Sequence, residues 1–440
     1  MKKQWTKKFF VIMVSILLLA VVGCSNSNEP TNNTNDIGNN EEKASSDNDK
    51  KEQVKLVVWL WPGMGIEDQI KQYADENGIE VDIQLAEFAD VHSNLTTALA
   101  AGSGAPDISA VEVKGINKMS ANPEHFYNLL DLGADEIEGD YLDWKWQQAM
   151  ALDGTLLGIP TDIGPQTMSY RLDVFEKAGL PTDREEVAKL VQTWDDWIEL
   201  GEQIKEKTGA AMIDSAQGLY SVIEGQGENK YYDEQGNVVI EENPQIEKAY
   251  SITMEAIEKG LTSGFEQWST EWGAGMTNGD FATVLTPAWM TGFMKENAPD
   301  AAGLWDMAPL PEGSGNWGGS FLTIPKQSEH PEEAYALIKW LLSPEQQLVT
   351  FQNNGNFPST PSIYESEDLQ NFTSEYYSGA PLGQLFGEAA KEVKLVHEGP
   401  ASIQIEEAIL DAVKRVEDGQ ATPDDSWQQA MKQLERQLRR

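Results

Sequence analysis

The chain reads as an α/β protein. Short apolar runs rich in β-branched and aromatic residues alternate with segments of helical period, and turn residues separate them. The first five such elements follow the order strand, helix, strand, helix, strand, which predicts a parallel unit wound with right-handed crossovers. Forty per cent of the residues are hydrophobic, enough for a real core, and 440 residues predict two or three domains.

In order along the chain, residues 54–60 (VKLVVWL) predict a buried strand and 66–76 a helix stopped by Asn77-Gly78. Residues 80–85 (EVDIQL) alternate as a second strand, 95–101 suit a helix ending near Gly102 and Gly104, and 107–111 form a third strand. Beyond these, 194–206 read as a helix capped by Thr193, and 231–240 as a hairpin turning at Gln235-Gly236-Asn237. Asn243-Pro244 starts a helix running to Gly260, the favoured placement of Pro and Gly at the two ends. Residues 281–286 and 318–325 are further strands, and Pro331 opens a helix through Leu342. Ile405, Ile409, Val413 and Val416 share one helical face, as do Trp427, Met431, Leu434 and Leu438. That last helix has Asp424 and Asp425 at its start and Arg436, Arg439 and Arg440 at its end, as the helix dipole favours.

The N-terminus has another character. Lys2, Lys3, Lys7 and Lys8 precede an apolar run over 9–22, followed by Gly23 and Cys24, the pattern of a secretory signal. The run is short of the roughly 20 residues a spanning helix needs. Val21-Val22-Gly23-Cys24 resembles the lipobox of bacterial lipoproteins, so Cys24, the single cysteine, is expected to carry lipid. Residues 25–53 hold almost no apolar side chains and are expected to form a disordered tether.

Charge narrows the function. There are 72 acidic and 32 basic residues, a formal net charge of −40, and residues 54–440 alone hold 65 acidic and 25 basic residues. Such a body repels polyphosphate at long range, which excludes nucleic acid as a partner. His92, His125, His330 and His397 stand apart from one another and from Cys24, so no metal site and no cofactor is predicted. Phosphate loops, dinucleotide fingerprints and Gly-x-Ser-x-Gly are absent. Glu112, Asp162, Asp214 and Glu224 lie among apolar or small residues, although for any single one a solvated surface position is the simpler expectation.

Fourteen tryptophans carry more information. Trp59, Trp197 and Trp340 keep strand or helix phase with apolar neighbours and are expected in the core. Trp61, Trp289 and Trp317 stand beside Pro or Gly in probable loops. There an indole can offer a platform for a sugar ring at the strand ends where open α/β sheets bind ligands.

Residues 158–181 (GIPTDIGPQTMSYRLDVFEKAGLP) resemble the extracellular solute-binding lipoproteins of ATP-binding-cassette (ABC) importers, the family containing maltodextrin- and oligosaccharide-binding proteins. Pro106-Asp107-Ile108, Thr193-Trp194-Asp195-Asp196, Asn278-Gly279-Asp280-Phe281-Ala282, Pro331-Glu332-Glu333-Ala334 and Leu342-Ser343-Pro344-Glu345 follow in the family's order. The resemblance implies a two-lobed, periplasmic-binding-protein-like fold of type II, with a hinge and a ligand cleft between the lobes. One lobe would comprise residues 54–165 plus 306–352, the other 166–305 plus 353–440. Trp61, Gly63, Glu112, Asp162, Tyr170, Trp289, Trp317 and Gly319 match positions near the cleft. Arg171 stands where the family pattern has Asn.

The function implied is capture of a sugar or oligosaccharide by a monomer, lipid-anchored through Cys24 on the extracellular face of a Gram-positive-type cell membrane, for delivery to permease subunits. Tyr170 could equally be hinge packing, whereas Asp162 would recognise hydroxyls. Two other readings stay open on sequence alone: a secreted glycosidase or lyase, and the same fold holding a peptide, a polyamine or another cation, with Ca²⁺ in an acidic loop such as 135–140 also untested.

Overall fold

The computed structural model describes residues 53–440 except 234, 395–398, 400, 439 and 440. The signal, Cys24, the tether, His397, Arg439 and Arg440 therefore lie outside the described residues. Among the described residues nine strands form two sheets: β1 (Lys55–Leu60), β2 (Glu80–Leu85), β3 (Ile108–Glu112), β4 (Gly158–Pro160), β5 (Gln166–Arg171), β6 (Ala211–Ile213), β7 (Phe281–Pro287), β8 (Trp305–Ala308) and β9 (Ser320–Thr323). The first sheet has the order β2-β1-β3-β9-β4 and the second β6-β7-β5-β8. In the first, β1 is parallel to β2 and β3, as the wound unit predicts, while β9 runs antiparallel to β3 and β4.

Each sheet buries its own apolar set. Leu56, Val58 and Leu60 of β1 meet Ile108, Val111, Leu322 and Ile338 in lobe one. In lobe two Met168, Tyr170, Phe175, Trp197 and Ile213 join Ile405 and Ile409 of the helix Ser402–Glu417. The helix Trp194–Thr208 starts with a reciprocal cap: Thr193 Oγ1 accepts the Asp196 N–H and Asp196 Oδ2 accepts that of Thr193, an arrangement worth about 1 kcal/mol.

Two local expectations change, and two hold in reduced form. The helix expected from residue 95 begins about two turns earlier, at Phe88, behind Glu87, whose side chain makes no cap bond. The hairpin expected over 231–240 is present in minimal form: Tyr232 bridges Val238 antiparallel, Asp233 N–H donates to Asn237 O at 3.0 Å and Val239 N–H to Tyr231 O at 2.9 Å, and the Asp233 carboxylate collects the N–H groups of Gln235 and Asn237 in the turn. The lobe boundary expected at 306 falls inside β8, which pairs with β5 from Met168↔Ala308 to Arg171↔Trp305, so that strand belongs to the second sheet. Trp59 and Trp340 pack against the core of lobe one as expected but stay half-buried, the first donating to Gln84 Oε1 at 3.0 Å and the second packing on Tyr73 at 5.3 Å; Trp197 is buried.

Three chain segments cross between the sheets, and they touch. Ile163 pairs with Phe357 and Pro165 with Asn316, so residues 161–165, 314–320 and 357–359 run side by side. Ile163 N–H donates to Phe357 O at 2.9 Å, Trp317 N–H to Gly164 O at 2.9 Å, and Thr161 N–H to Ser320 O at 2.9 Å. Ser314 Oγ and Gln166 exchange two bonds of 3.0 Å. The packing demands a glycine at 164, where a β-carbon would lie 1.9 Å from the Trp317 carbonyl oxygen. Gly164→Ala should therefore destabilise the fold by about 3 kcal/mol, at the upper end for an overpacked site, because the obstacle is backbone. Urea denaturation of the two proteins measures it; a loss under about 0.5 kcal/mol would mean the crossing strands yield freely.

Candidate functional site

Between the lobes lies a narrow cavity. Glu112, Lys114 and Trp144 line it from lobe one, Ser221, Lys230, Lys394 and Glu406 from lobe two, and Asn316, Trp317 and Gly318 from the crossing segment. Its volume of about 30 Å³ holds about two water molecules, far below the roughly 300–1,000 Å³ of small-molecule clefts. The reason is a contact across the gap: Lys114 Nζ and Glu406 Oε2 are 2.6 Å apart. Each ion holds the other charged. Despite burial, which opposes both charges, Glu406 keeps the Lys114 ammonium above its usual range, and Lys114 with Lys230 keeps the Glu406 carboxyl below its own.

Lobe one offers an aromatic corner. Trp61, one residue beyond β1, stacks on His92 with centroids 5.4 Å apart and planes 28° apart, and meets the edge of the exposed Phe88 at 5.1 Å. His92 Nε2 accepts the Glu112 N–H at 3.0 Å while Nδ1 faces Phe88 O at 2.8 Å, so the bonding assigns a neutral ring protonated on Nδ1. Burial, with Lys118 nearby, holds its pKa below the ordinary histidine value, consistent with that tautomer. Glu112 in turn caps the helix Val113–Met119 by accepting the Lys114 N–H at 2.8 Å.

Lobe two and the crossing segment supply a second aromatic group. Trp289 Nε1–H donates to Trp317 O at 2.8 Å, and the two indoles stand at 85° with centroids 5.9 Å apart. Trp268 stacks on Trp289 at 5.8 Å and 26°. It is 49% exposed and holds φ at 72°, a left-handed conformation that costs a bulky side chain on the order of 1–3 kcal/mol. Sequence reasoning missed Trp268; the available signal was an indole between Gly264 and the capping Ser269, outside any apolar phase.

The loop bearing Trp268 hangs on Asp214, just after β6. Asp214 Oδ2 accepts Gln267 Nε2–H and Trp272 Nε1–H, each at 2.8 Å, and its carbonyl accepts the Ser263 hydroxyl. Burial pushes this carboxyl up to about 6 although both bonds oppose the shift.

Of the eight residues expected near a ligand, Glu112 and Trp317 line the cavity, and Trp289 stands behind Trp317. Trp61 is partly exposed in the lobe-one corner, and Gly63 is exposed, its carbonyl accepting Asn354 Nδ2–H at 2.6 Å. The other three are differently engaged. Asp162 is 4% exposed, and its Oδ1 accepts Thr161 Oγ1–H at 2.6 Å and Ser320 N–H at 3.0 Å, which makes it a clasp between crossing strands in place of the expected hydroxyl reader. Gly319, with φ at 93°, backs onto that clasp. Tyr170 is buried and donates to Thr182 O at 2.8 Å inside lobe two. Its neighbour Arg171 is buried too, bonded to Asp173 at 2.8 and 2.9 Å and to Met276 O at 2.5 Å. The solvated surface position expected for single acids also fails for Asp162, Asp214 and Glu224, all nearly inaccessible. Among the described residues no cluster of three metal-ligating side chains occurs.

The Asp214 shift has a measurable sign. A folded pKa of about 6 against 3.8 means the folded state favours the protonated form, so its stabilisation is complete below the unfolded value and is lost as pH rises through 6. Relative to Asp214→Asn, the parent protein should lose about 1 kcal/mol of stability between about pH 5 and pH 8 in paired urea melts. A pH-independent difference would mean the carboxylate is ionised throughout.

Known proteins with this architecture follow from sequence and coordinates alike. The sequence profile of the bacterial extracellular solute-binding proteins matches residues 68–373. An arabinooligosaccharide-binding protein of Bacillus subtilis is 25% identical, with 90% of each chain covered. Another from Halalkalibacterium halodurans is 27% identical over 65% of this chain, which spans 66% of that protein. The crystal structure of an extracellular solute-binding protein of family 1 superposes with a TM-score of 0.79 at 36% identity, covering 87% of this chain and 99% of that one. Two sheets joined by three crossing strands around a charged, tryptophan-edged cleft thus make this chain a member of the bacterial extracellular solute-binding proteins.

Proposed function

We propose that this chain is the substrate-binding component of an ABC importer and that it captures a sugar or oligosaccharide between its lobes. The observation that carries the reading is the cleft itself, where residues of both lobes face each other and the Trp268–Trp289–Trp317 group stands at the crossing strands. Indole faces suit the CH-rich faces of pyranose rings, and the surrounding carboxylates, amides and ammonium groups suit their hydroxyls. The arabinooligosaccharide-binding relatives support the same ligand class.

Closure supplies the signal. A ligand touching both lobes binds the closed form better than the open one and shifts the population toward it, the form a permease would receive. Nothing in this scheme requires bond chemistry, and of the four acids singled out in the sequence Asp162, Asp214 and Glu224 are engaged within the fold. Glu112, Trp61, Trp289 and Trp317 are the ligand-facing residues of this reading. Asp162, Tyr170 and Gly319 act through the hinge and the lobe-two core, and Gly63 shapes the loop after β1. The mature protein is a monomer held by lipid on Cys24 to the outer face of the membrane, with residues 25–53 as its tether.

Two measurements test this. In a thermal-shift screen against oligosaccharides, a ligand at about 100 times its Kd should add about 2.7 kcal/mol of stability. Trp268→Ala, which removes an exposed side chain, and Trp289→Ala should each weaken that ligand by at least about tenfold while the unliganded protein still melts cooperatively. Shifts with peptides or polyamines and none with sugars would sink the sugar reading. For the anchor, Cys24→Ser should move the protein from the membrane fraction to the medium; unchanged membrane retention would rule out lipid at that residue.

A further inference from the structure

We infer that the ligand of this cleft is anionic, an oligosaccharide bearing a carboxylate, and that Lys114 selects it; the inference rests on the sugar-binding reading above. In a chain of net charge −40, the cavity is lined by three ammonium groups, Lys114, Lys230 and Lys394, against two carboxylates, Glu112 and Glu406. Lysines from both lobes thus outnumber the carboxylates of the lining in an otherwise acidic protein.

The pairing shows which charge the ligand would meet. Lys230 lies 3.3 Å from Glu224 and Lys394 lies 3.4 Å from Glu228, both pairs within lobe two. Lys114 is different, because its direct partner Glu406 belongs to the other lobe. The cavity admits no sugar ring, so the gap must widen for any ligand, and widening separates Lys114 from Glu406. Glu406 moves with Lys230, whose charge already acts on it. Lys114 moves with Glu112, whose charge also favours the ammonium but whose carboxylate caps the Lys114 backbone N–H. The opened cleft therefore presents an ammonium, 30% exposed even when closed, that has given up its ion partner. A neutral sugar would enclose that charge with hydroxyls alone, whereas a sugar carboxylate restores a charge-assisted bond in the place Glu406 left.

Isothermal titration of the mature full-length protein with matched probes tests this: xylotetraose with and without a glucuronic acid branch, and galactobiose beside digalacturonate. The carboxylated member should bind at least about tenfold more tightly, and its affinity should fall as salt is raised. Lys114→Gln should erase the preference between members, and Lys114→Arg should keep it. Equal or tighter binding of the neutral member, or equal losses for both members in Lys114→Gln, overturns the anionic assignment and leaves the sugar reading standing. If none of the four probes binds while a peptide or polyamine does, both readings fall together.

Discussion

Everything in this molecule is hung from three short strands that pass between two sheets and hydrogen-bond to one another on the way. Their closest point is the stacking of Gly164 against the Trp317 carbonyl, where only a residue without a side chain fits. That same carbonyl receives the Trp289 indole, so the backbone contact that aligns the sheets also fixes the aromatic wall of the cleft. Asp162 fastens the neighbouring rungs through Ser320 and Thr161. A hinge of this kind is stiff along its strands, where hydrogen bonds resist stretching, and compliant in twist, which suits rigid lobes that rotate about a thin waist.

The two lobes prepare their faces by different means. In lobe one a chain of contacts leads from Trp61 through His92 to Glu112 and Lys114, each link made by a group that also satisfies a backbone donor. In lobe two a buried carboxylate holds a strained loop so that one indole projects outward. Both arrangements put polar groups where desolvation penalises charge. His92 responds by staying neutral, Asp214 by a raised pKa, and the Lys114–Glu406 pair by mutual compensation.

Much of the fold was legible because it depends on local pattern. The strand over 80–85, the Thr193 cap, the Asn243-Pro244 start and the apolar face of Ile405, Ile409 and Val413 all report short-range physics and recur in the structure, although Leu85 and Leu438 end exposed. Failures arose where chain order gave no hint of partner, as for β8. The site was less legible for the same reason. Trp289 and Trp317 could be singled out by their Pro and Gly neighbours, but the burial of Asp162 and Asp214 is set by residues distant in sequence, among them Ser320 and Trp272. No local pattern could show that Lys114 faces Glu406 across a gap.

The tryptophan group has an optical consequence. Trp272, Trp268, Trp289 and Trp317 form a chain with centroids 5.1, 5.8 and 5.9 Å apart, running from lobe two onto a crossing strand. At such separations the indole excited states couple, and the coupling depends steeply on distance and mutual angle. A shift of the crossing segment against lobe two would therefore change the near-ultraviolet circular dichroism and the shared emission of these rings. The protein carries its own spectroscopic gauge of that contact, read without label or added dye.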